Sequence, residues 1–290
     1  MTLLMKTQEA WMRAKYLPHT ILSGFYTPYW VSVSHQGVVL QKSGALESPT
    51  ASRPLQGQDV DSLWDSAADE LFKLCDQARI EYKRIHILFS DVWFKPLVVS
   101  IKHQSAQDSE MEMLLQGQYQ RVYGDLCKGW AYAWDACGSH LVAMASPQHG
   151  IDQIRRGLAQ RHIQLAGLSP ISAQYLRSAP EPAMDGWMAI LQCDSFSLLR
   201  IDKQEVCDWR TFPVTSTLFD DLLIHLSRQS ARASDNSRFL EIVDLTQTMD
   251  QSYFQEGLMN LGWQSQFTNL MALKRNSSAN WLHLLDVKHR

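Results

Sequence analysis

The two halves of the chain repeat one order of predicted secondary structure, and this duplication limits the folds that the chain can adopt. In the first half, a hairpin, an amphipathic helix, an apolar strand and a second helix are predicted at residues 30–43, 60–80, 84–90 and 151–167. In the second half, a three-stranded meander, a helix, an apolar strand and a further helix are predicted at 186–214, 218–226, 237–245 and 253–261. Strands and helices in this order predict an α/β protein with mixed sheets and two related lobes.

Short polar segments divide this pattern into domains. The proline-rich segment 178–186 separates the two halves, and a strand, a helix and a strand pair interrupt the first half at about 91–146. We therefore predict an N-terminal extension, a first lobe with this inserted subdomain, and a second lobe with a C-terminal tail, at 1–29, 30–180 and 181–290. Gly167 ends the predicted helix 151–167 and is expected to be its left-handed C-cap.

Charge and cysteine content exclude several classes of protein. The 27 Lys and Arg residues against 30 Asp and Glu residues give a formal net charge of -3, without the basic runs that bind nucleic acid. The five cysteines are odd in number and show no CxxC spacing, which argues against disulfides and structural zinc. Charges interrupt the apolar residues of the opening segment, so neither a signal peptide nor a membrane span is predicted there. The chain is therefore expected in the cytoplasm, reaching a membrane only through a partner.

The sequence also lacks the common motifs of catalysis. No P-loop, GxGxxG, GxSxG or HExxH pattern occurs, and the histidines have no metal-ligand spacing. Neighbouring Asp220 and Asp221 allow two interpretations: a pair of catalytic carboxylates, or acids that complement the dipole at the start of a helix, which we favour. We therefore predict no metal site and no catalytic residue.

Aromatic and aliphatic side chains form one predicted core pair and two candidate docking sets. Trp64 and Phe72 share a face of the helix 60–80 and are predicted in the core. The first docking set alternates along one strand and is either the inner face of a sheet or a docking strip, namely Trp130, Tyr132 and Trp134. The second set lies in the C-terminal tail and either closes the second lobe or binds a partner, namely Trp281, Leu284 and Leu285.

Two stretches of the sequence resemble a known family. Residues 140–179 read as a strand, a helix ending in Ala-Gly-Leu, a proline-bearing strand and a helix, and residues 186–214 read as a meander that closes in Arg-Thr-Phe-Pro. These stretches are similar to PilM-like and GspL-like proteins, including the MshI group, the actin-like cytoplasmic components of type IV pilus and type II secretion machines. The resemblance covers about 30–270 in the order of elements. It implies an actin-like, ribonuclease H-like fold with two duplicated lobes.

The resemblance also implies a role and partners. Proteins of this family link inner-membrane platform proteins to the assembly motor, and the short cytoplasmic tail of a membrane partner docks in a groove of the actin-like fold. The implied partners are such a tail, an assembly ATPase and a second copy of the chain, without nucleic acid. The tail carries an Asn-Leu-Leu-like motif, which residues 280–285 of this chain resemble. The implied location is the cytoplasmic side of the inner membrane.

The sequence departs from the nucleotide-binding signature of actin-like ATPases. These enzymes hold metal and phosphate with two hairpins, each carrying an Asp-x-Gly pair. In the first hairpin Ser32 and Ser34 stand at the acid and glycine positions, and in the second Gln192 and Asp194 do. An acid at the glycine position directs negative charge towards phosphate, so ATP binding is disfavoured. We predict a non-enzymatic scaffold without a cofactor; the alternative is a divergent ATPase or sugar-kinase relative with Asp194 and Asp244 as its acids.

Overall fold

The computed structural model describes residues 29–42, 50–57, 60–101, 108–178, 185–232, 238–246 and 249–268. These residues form two compact units. The first unit combines residues of 29–90 with those of 148–174, and the second combines 91–147 with 175–268. Each unit contains a five-stranded mixed sheet, and the second unit contains a further three-stranded sheet.

Most elements follow one another along the chain as predicted; the exceptions are two short strands at Thr50–Ala51 and Gln264–Phe267, which were not predicted, and the end of one helix, described below. The first unit begins with β1 (Tyr29–Ser34), β2 (Gly37–Lys42), β3 (Thr50–Ala51), α1 (Val60–Gln77) and β4 (Arg84–Phe89). The inserted segment contributes β5 (Lys95–Ser100), α2 (Asp108–Tyr123), β6 (Trp130–Cys137) and β7 (His140–Pro147). The first unit resumes with α3 (Gln148–Gln160), β8 (Gln164–Pro170) and the start of α4 (Ile171–Ser178). The chain continues with β9 (Gly186–Leu191), β10 (Ser195–Asp202), β11 (Glu205–Pro213), α5 (Leu218–Arg232), β12 (Phe239–Asp244), α6 (Gln251–Asn260) and β13 (Gln264–Phe267).

The two five-stranded sheets have the same topology, which confirms the predicted duplication. Their strand orders are β3-β2-β1-β4-β8 and β11-β10-β9-β12-β13. In each sheet the first three strands in chain order pair antiparallel, and the last two are parallel to the first. One helix precedes the fourth strand and another precedes the fifth, so α1 and α3 correspond to α5 and α6. The inserted segment lies between β4 and α3 and has no counterpart between β12 and α6.

Two helices of the first unit pack together because glycines on one make room for aromatic rings on the other. The ring of Trp64 on α1 is fully buried, and a Cβ atom added to Gly150 of α3 would lie 2.3 Å from it. Two helical turns further along α3, a Cβ atom at Gly157 would lie 1.9 Å from the ring of Phe72. The predicted core position of Trp64 is therefore confirmed, whereas Phe72 contacts α3 but is only partly buried. Both glycines are required by close approach.

The main core of the second unit lies between its five-stranded sheet and the helices α5 and α6. The central strand β9 is buried at every position, so both faces of the sheet are covered there. The fully buried side chains of this core come from the sheet and both helices and include Leu191, Phe196, Leu198, Leu222, Leu226, Leu240, Ile242, Phe254 and Leu258.

Gly262, which follows α6, has a φ of 77° and ends the helix as predicted.

The three-stranded sheet has the order β5-β7-β6 and packs against α2. Met111, Leu115 and Tyr119 of α2 are buried against β7. The carboxylate of Glu205, at the start of β11, accepts hydrogen bonds from Ser139 N at 2.9 Å and Ser139 Oγ at 2.8 Å. The sheet inserted into the first half of the sequence is therefore joined to β11 of the second half, within the second unit.

The helix predicted at 151–167 was wrong at its C-terminal end. The helix α3 stops at Gln160, and His162 takes a φ of 55° just after it. The following residues form β8, which pairs in parallel with β4, so Gly167 lies in a strand opposite His86 and is not a helix cap. A Cβ atom at Gly167 would lie 3.2 Å from His86 Nδ1, which favours glycine at this close approach.

Candidate functional site

The first predicted hairpin, which carries Ser32 and Ser34, is formed by β1 and β2. Ser32 and Ser34 lie on β1 and are 8% and 9% exposed. Ser34 Oγ accepts a hydrogen bond from Gln36 N at 3.1 Å, inside the turn between the two strands. The hydroxyl at the expected glycine position therefore bonds the amide of its own turn.

The segment after β3 covers the same turn. Val38 N donates to Ser52 Oγ at 2.7 Å, and Ser52 N donates to Val38 O at 2.9 Å. Gly37 has a φ of 131°, and a Cβ atom there would lie 2.8 Å from both Arg53 O and Ser52 Oγ. The amides of Gln36 and Val38 are thus bonded to side chains of this chain, where a phosphate loop would present amides to its ligand.

The second hairpin, between β9 and β10, is closed in a similar way. Gln192 is 3% exposed, its N–H donates to Ser195 O at 2.9 Å, and its Oε1 accepts from Asp91 N at 3.1 Å. Asp194 is half-buried in the turn, and its carbonyl oxygen accepts from Val214 N at 2.9 Å. The amide at the expected acid position therefore anchors the start of the inserted segment.

Asp91 is a buried acid beside this hairpin that sequence reasoning missed. It is 2% exposed, and its Oδ2 accepts a hydrogen bond from Ser197 Oγ on β10 at 2.5 Å. Ser197 Oγ in turn lies 2.8 Å from Thr211 Oγ1 on β11. One signal could have found it: Asp91 comes just after the apolar strand β4, and functional groups of open α/β sheets collect at the carboxyl ends of strands.

Asp244, an acid of the alternative ATPase hypothesis, is engaged by the loop that follows it. It ends β12 and is 6% exposed. Its Oδ1 accepts from Thr246 N at 2.9 Å and from Thr246 Oγ1 at 2.6 Å, and Met249 N lies 3.4 Å from its Oδ2. The carboxylate thus organises an Asx-type turn.

Asp220 and Asp221 act as capping groups at the start of α5. Thr217 Oγ1 donates to Asp220 Oδ2 at 2.7 Å and accepts from Asp220 N at 3.1 Å, as in a capping box. Asp221 is buried and accepts hydrogen bonds from both the backbone and the hydroxyl groups of Thr215 and Ser216, with the shortest, from Thr215 N, at 2.6 Å. The predicted position at a helix start is confirmed, and the carboxylates bond to the preceding loop.

Asp221 should make the stability of the protein fall at acidic pH. Hydrogen bonds from Thr215 N and Ser216 N lower the pKa of Asp221 from its ordinary value to about 2. Because the folded-state pKa lies below the unfolded one, the stabilisation is present above about pH 4 and is lost as the pH falls towards 2. By calorimetry, we expect Asp221→Asn to lower the Tm by a few degrees at pH 7 and by much less at pH 2, where about half of the Asp221 carboxylates are protonated. An equal Tm difference at both pH values would contradict this.

The aromatic row of β6 faces inwards. Trp130, Tyr132 and Trp134 are half-buried and pack against the core formed by α2 and β7. The ring of Tyr119 lies 5.0 Å from that of Tyr132, and the ring of Tyr123 lies 5.2 Å from that of Trp130. Of the two sequence interpretations, these contacts match the inner face of a sheet, and the docking strip stays a prediction. The other docking set, Trp281, Leu284 and Leu285, lies outside the described residues.

Histidine and cysteine side chains show no grouping for metal chemistry. Within the described ranges, no three His, Cys, Asp or Glu side chains lie where they could hold a metal ion. His86 stacks on Trp30 with ring centroids 4.6 Å apart, and burial lowers its pKa to about 4, which keeps it neutral. Burial raises the pKa of the Cys75 thiol to about 12, so it is an inert core thiol.

Comparison with known proteins finds similarity in structure alone. No protein-family model and no curated protein matches the chain. A Bacteroides thetaiotaomicron protein with an actin-like ATPase fold and unknown function is similar at 10% identity, with a TM-score of 0.59 over 91% of this chain and 98% of that one. The cytoplasmic domain of EpsL, an inner-membrane component of the Vibrio cholerae type II secretion system, gives 11% identity and a TM-score of 0.52, covering 91% and 96%. A chain of the PilM–PilN type IV pilus biogenesis complex gives 11% identity and a TM-score of 0.59, covering 89% of this chain and 97% of that one.

These similarities establish the fold. The chain has an actin-like fold with mixed α/β sheets, as the resemblance in its sequence implied. Among the described helices, none is both long enough and apolar enough to cross a membrane.

Proposed function

We propose that the chain is a non-enzymatic scaffold of a type IV pilus or type II secretion apparatus, with a degenerate nucleotide site. In this role it links inner-membrane platform proteins to the assembly motor, as a cytoplasmic protein held at the membrane by its partners. Similarity to the cytoplasmic domain of EpsL and to the PilM–PilN complex supports the proposal.

The main support is that both hairpins bond their turn groups within the chain. Gln36 N and Val38 N are bonded to serine hydroxyls, and Gln192 is bonded through both its main chain and its side chain. A triphosphate binds an actin-like hairpin through amides and through a carboxylate that orients the metal ion. Ser32 and Gln192 stand where the two carboxylates are expected, and neither side chain can carry a negative charge.

The docking site that we propose for a membrane partner is the outer edge of β6. This strand ends the order β5-β7-β6, so one side of it has no neighbouring strand among the described residues. An extended cytoplasmic tail adds to such an edge through main-chain hydrogen bonds. Alternate side chains of the added strand would lie on the face of the sheet that packs on α2, beside the half-buried rings of Trp130, Tyr132 and Trp134.

Calorimetric titration of the full chain with two ligands tests the proposal. With ATP and Mg²⁺ up to about 1 mM we expect no binding heat, because the hairpin groups are already bonded. With a synthetic peptide of the cytoplasmic tail of a platform protein we expect a Kd on the order of 10 µM. Micromolar binding of Mg²⁺-ATP would contradict the degenerate site and favour the divergent ATPase.

A matched peptide controls the second titration. When the apolar residues of the tail are replaced by serine, we expect affinity to fall at least about tenfold, because the apolar contact area is lost. Failure of every platform tail to bind the folded protein would contradict the scaffold role.

A further inference from the structure

Exposed cations gather at one end of the first unit, where β1, β4 and β8 begin and where α1 and α3 end. Four of them, which we call the basic end, lie at the end of β2, at the start of β4 and in the turn before β4, namely Lys42, Arg79, Lys83 and Arg84. With the exposed acid Glu81 of the same turn, these residues have a net charge of +3, in a chain of formal net charge -3. The sequence has no basic run here, because the fold brings β2 and β4 to the same end of the sheet.

The other charged pair at this end does not reduce the charge. Arg161 Nε donates to Asp76 Oδ1 at 2.8 Å, and Arg161 Nη2 donates to Asp76 Oδ2 at 3.1 Å, so these two charges neutralise each other. Arg84 Nε instead donates to the neutral side-chain oxygen of Gln164 at 3.1 Å. This bond holds the Arg84 guanidinium in place and leaves its positive charge available to an anion.

An exposed aromatic ring lies among the cations. Tyr82 is 68% exposed, and its ring stacks on that of His162 with centroids 5.3 Å apart and an angle of 9° between the planes. Tyr82 N donates to His162 O at 3.1 Å, and the two residues have positive φ values of 54° and 55°. Such backbone angles are uncommon for bulky residues and persist only where the surroundings hold them. The fold therefore fixes an amphipathic ring beside the basic end, as is typical of surfaces that contact the headgroup layer of a membrane.

The N-terminal sequence joins the first unit at this same end. β1 begins at Tyr29, which pairs with β4 one residue beyond Arg84, so residues 1–28 precede the unit here. They lie outside the described residues, and their sequence carries three cations and one acid among apolar residues, namely Lys6, Arg13, Lys15 and Glu9 among Leu3, Leu4, Met5, Trp11, Met12, Tyr16 and Leu17. Segments that combine Lys and Arg with Trp and Leu are typical of chains that lie in a membrane interface without crossing it. This composition favours a lipid surface over a nucleic acid as the anion.

We propose that the basic end of the first unit docks directly on anionic lipid headgroups. Its four cations contact the headgroup phosphates, and the ring of Tyr82 lies at the level of the headgroups. The choice of a membrane rests on the proposed function, which places the chain at the cytoplasmic leaflet, where the surface potential is negative. The contact adds a second attachment to the one made by protein partners. Because each cation strengthens membrane binding on the order of fivefold, four of them give a weak and reversible contact.

Co-sedimentation of the full chain with lipid vesicles tests the proposal. At about 50 mM salt we expect binding to vesicles that contain about 30% phosphatidylglycerol, little binding to vesicles of phosphatidylcholine alone, and release at about 500 mM salt. Arg79→Glu should weaken binding at least about fivefold, and the double variant with Arg84→Glu at least about twentyfold. Arg53→Glu is the matched control, because Arg53 is exposed beside the turn between β1 and β2, at the opposite end of the sheet, and it should leave binding nearly unchanged.

A glycine variant separates the ring from the stability of the fold. Tyr82→Gly keeps every charge, and glycine takes a φ of 54° without strain, so the Tm should change little while vesicle binding weakens severalfold. Absence of binding to the anionic vesicles, equal binding to the neutral ones, or equal losses in Arg79→Glu and Arg53→Glu would overturn the proposal. Tighter binding to a single-stranded oligonucleotide than to the vesicles would identify nucleic acid as the anion and would also overturn it. The titrations with Mg²⁺-ATP and with the tail peptide contain no lipid, so failure here leaves the scaffold role standing.

Discussion

Replacing Gly150 by alanine should destabilise the protein by about 1–3 kcal/mol, the range for overpacking a well-filled core. In an ordinary helix the same substitution stabilises by about 1 kcal/mol, because alanine is the better helix former. The sign reverses here because the added methyl group would lie 2.3–2.6 Å from three ring atoms of Trp64. That ring is fully buried and cannot move aside without disturbing the contact between α1 and α3.

Thermal unfolding of matched variants provides the measurement. Gly150→Ala should lower the Tm by about 2–5 °C for a protein of this size. Gly117→Ala is the control, since it makes the same substitution in a helix where nothing lies within 4 Å, and it should raise the Tm of the monomer slightly. Gly157→Ala should fall between the two, because it meets the far end of the Phe72 side chain, which is only partly buried. Equal changes in Tm at positions 150 and 117 would show that helix propensity alone determines the effect of the substitution. They would contradict the packing of Gly150 against Trp64.

The packing of α1 on α3 also shows which features local sequence patterns can predict and which they cannot. The three-four spacing of apolar residues in α1 placed Trp64 and Phe72 in the core, because amphipathic periodicity is a property of one helix alone. The role of Gly150 and Gly157 depends on which rings face them from another helix, and no local pattern carries that information. The false helix end at Gly167 has the same origin. Residues 164–170 are a strand because β4 pairs with them, and this tertiary pairing overrides the local pattern.

In the candidate site, too, local features could be predicted from the sequence and tertiary contacts could not. The hairpin positions of Ser32, Ser34, Gln192 and Asp194 could be located from the sequence, because alternating strands and short turns mark hairpins locally. The bond between Asp91 and Ser197 could not, since 106 residues separate the two partners along the chain. The bond between Ser52 and Val38 could not be predicted either, since 14 residues separate the two partners. The closure of both hairpins is therefore a property of the folded chain, which the sequence shows only as missing acids and glycines.

Replacing Asp91 by alanine should lower the free energy of unfolding by about 2–3 kcal/mol. The carboxylate is buried and accepts a hydrogen bond from Ser197 Oγ, and charge-assisted bonds of this kind contribute about 1.5–3 kcal/mol. The loss should be smaller in Asp91→Asn, which keeps the side-chain volume and one oxygen acceptor. Chemical denaturation of the variants measures these differences.

A double-mutant cycle with Ser197→Ala separates this structural role from a catalytic one. If Asp91 and Ser197 act through their shared hydrogen bond, their effects should be non-additive by about 1–2 kcal/mol, and neither variant should change the response to Mg²⁺-ATP. Thr211→Val extends the cycle, because Thr211 Oγ1 lies 2.8 Å from Ser197 Oγ, and it should couple to Ser197 more strongly than to Asp91. In a divergent ATPase, Asp91→Asn would instead leave stability unchanged and abolish ATP hydrolysis that depends on Mg²⁺. That result would make the buried acid a catalytic group and would overturn the interpretation of the second hairpin as a closed, structural turn.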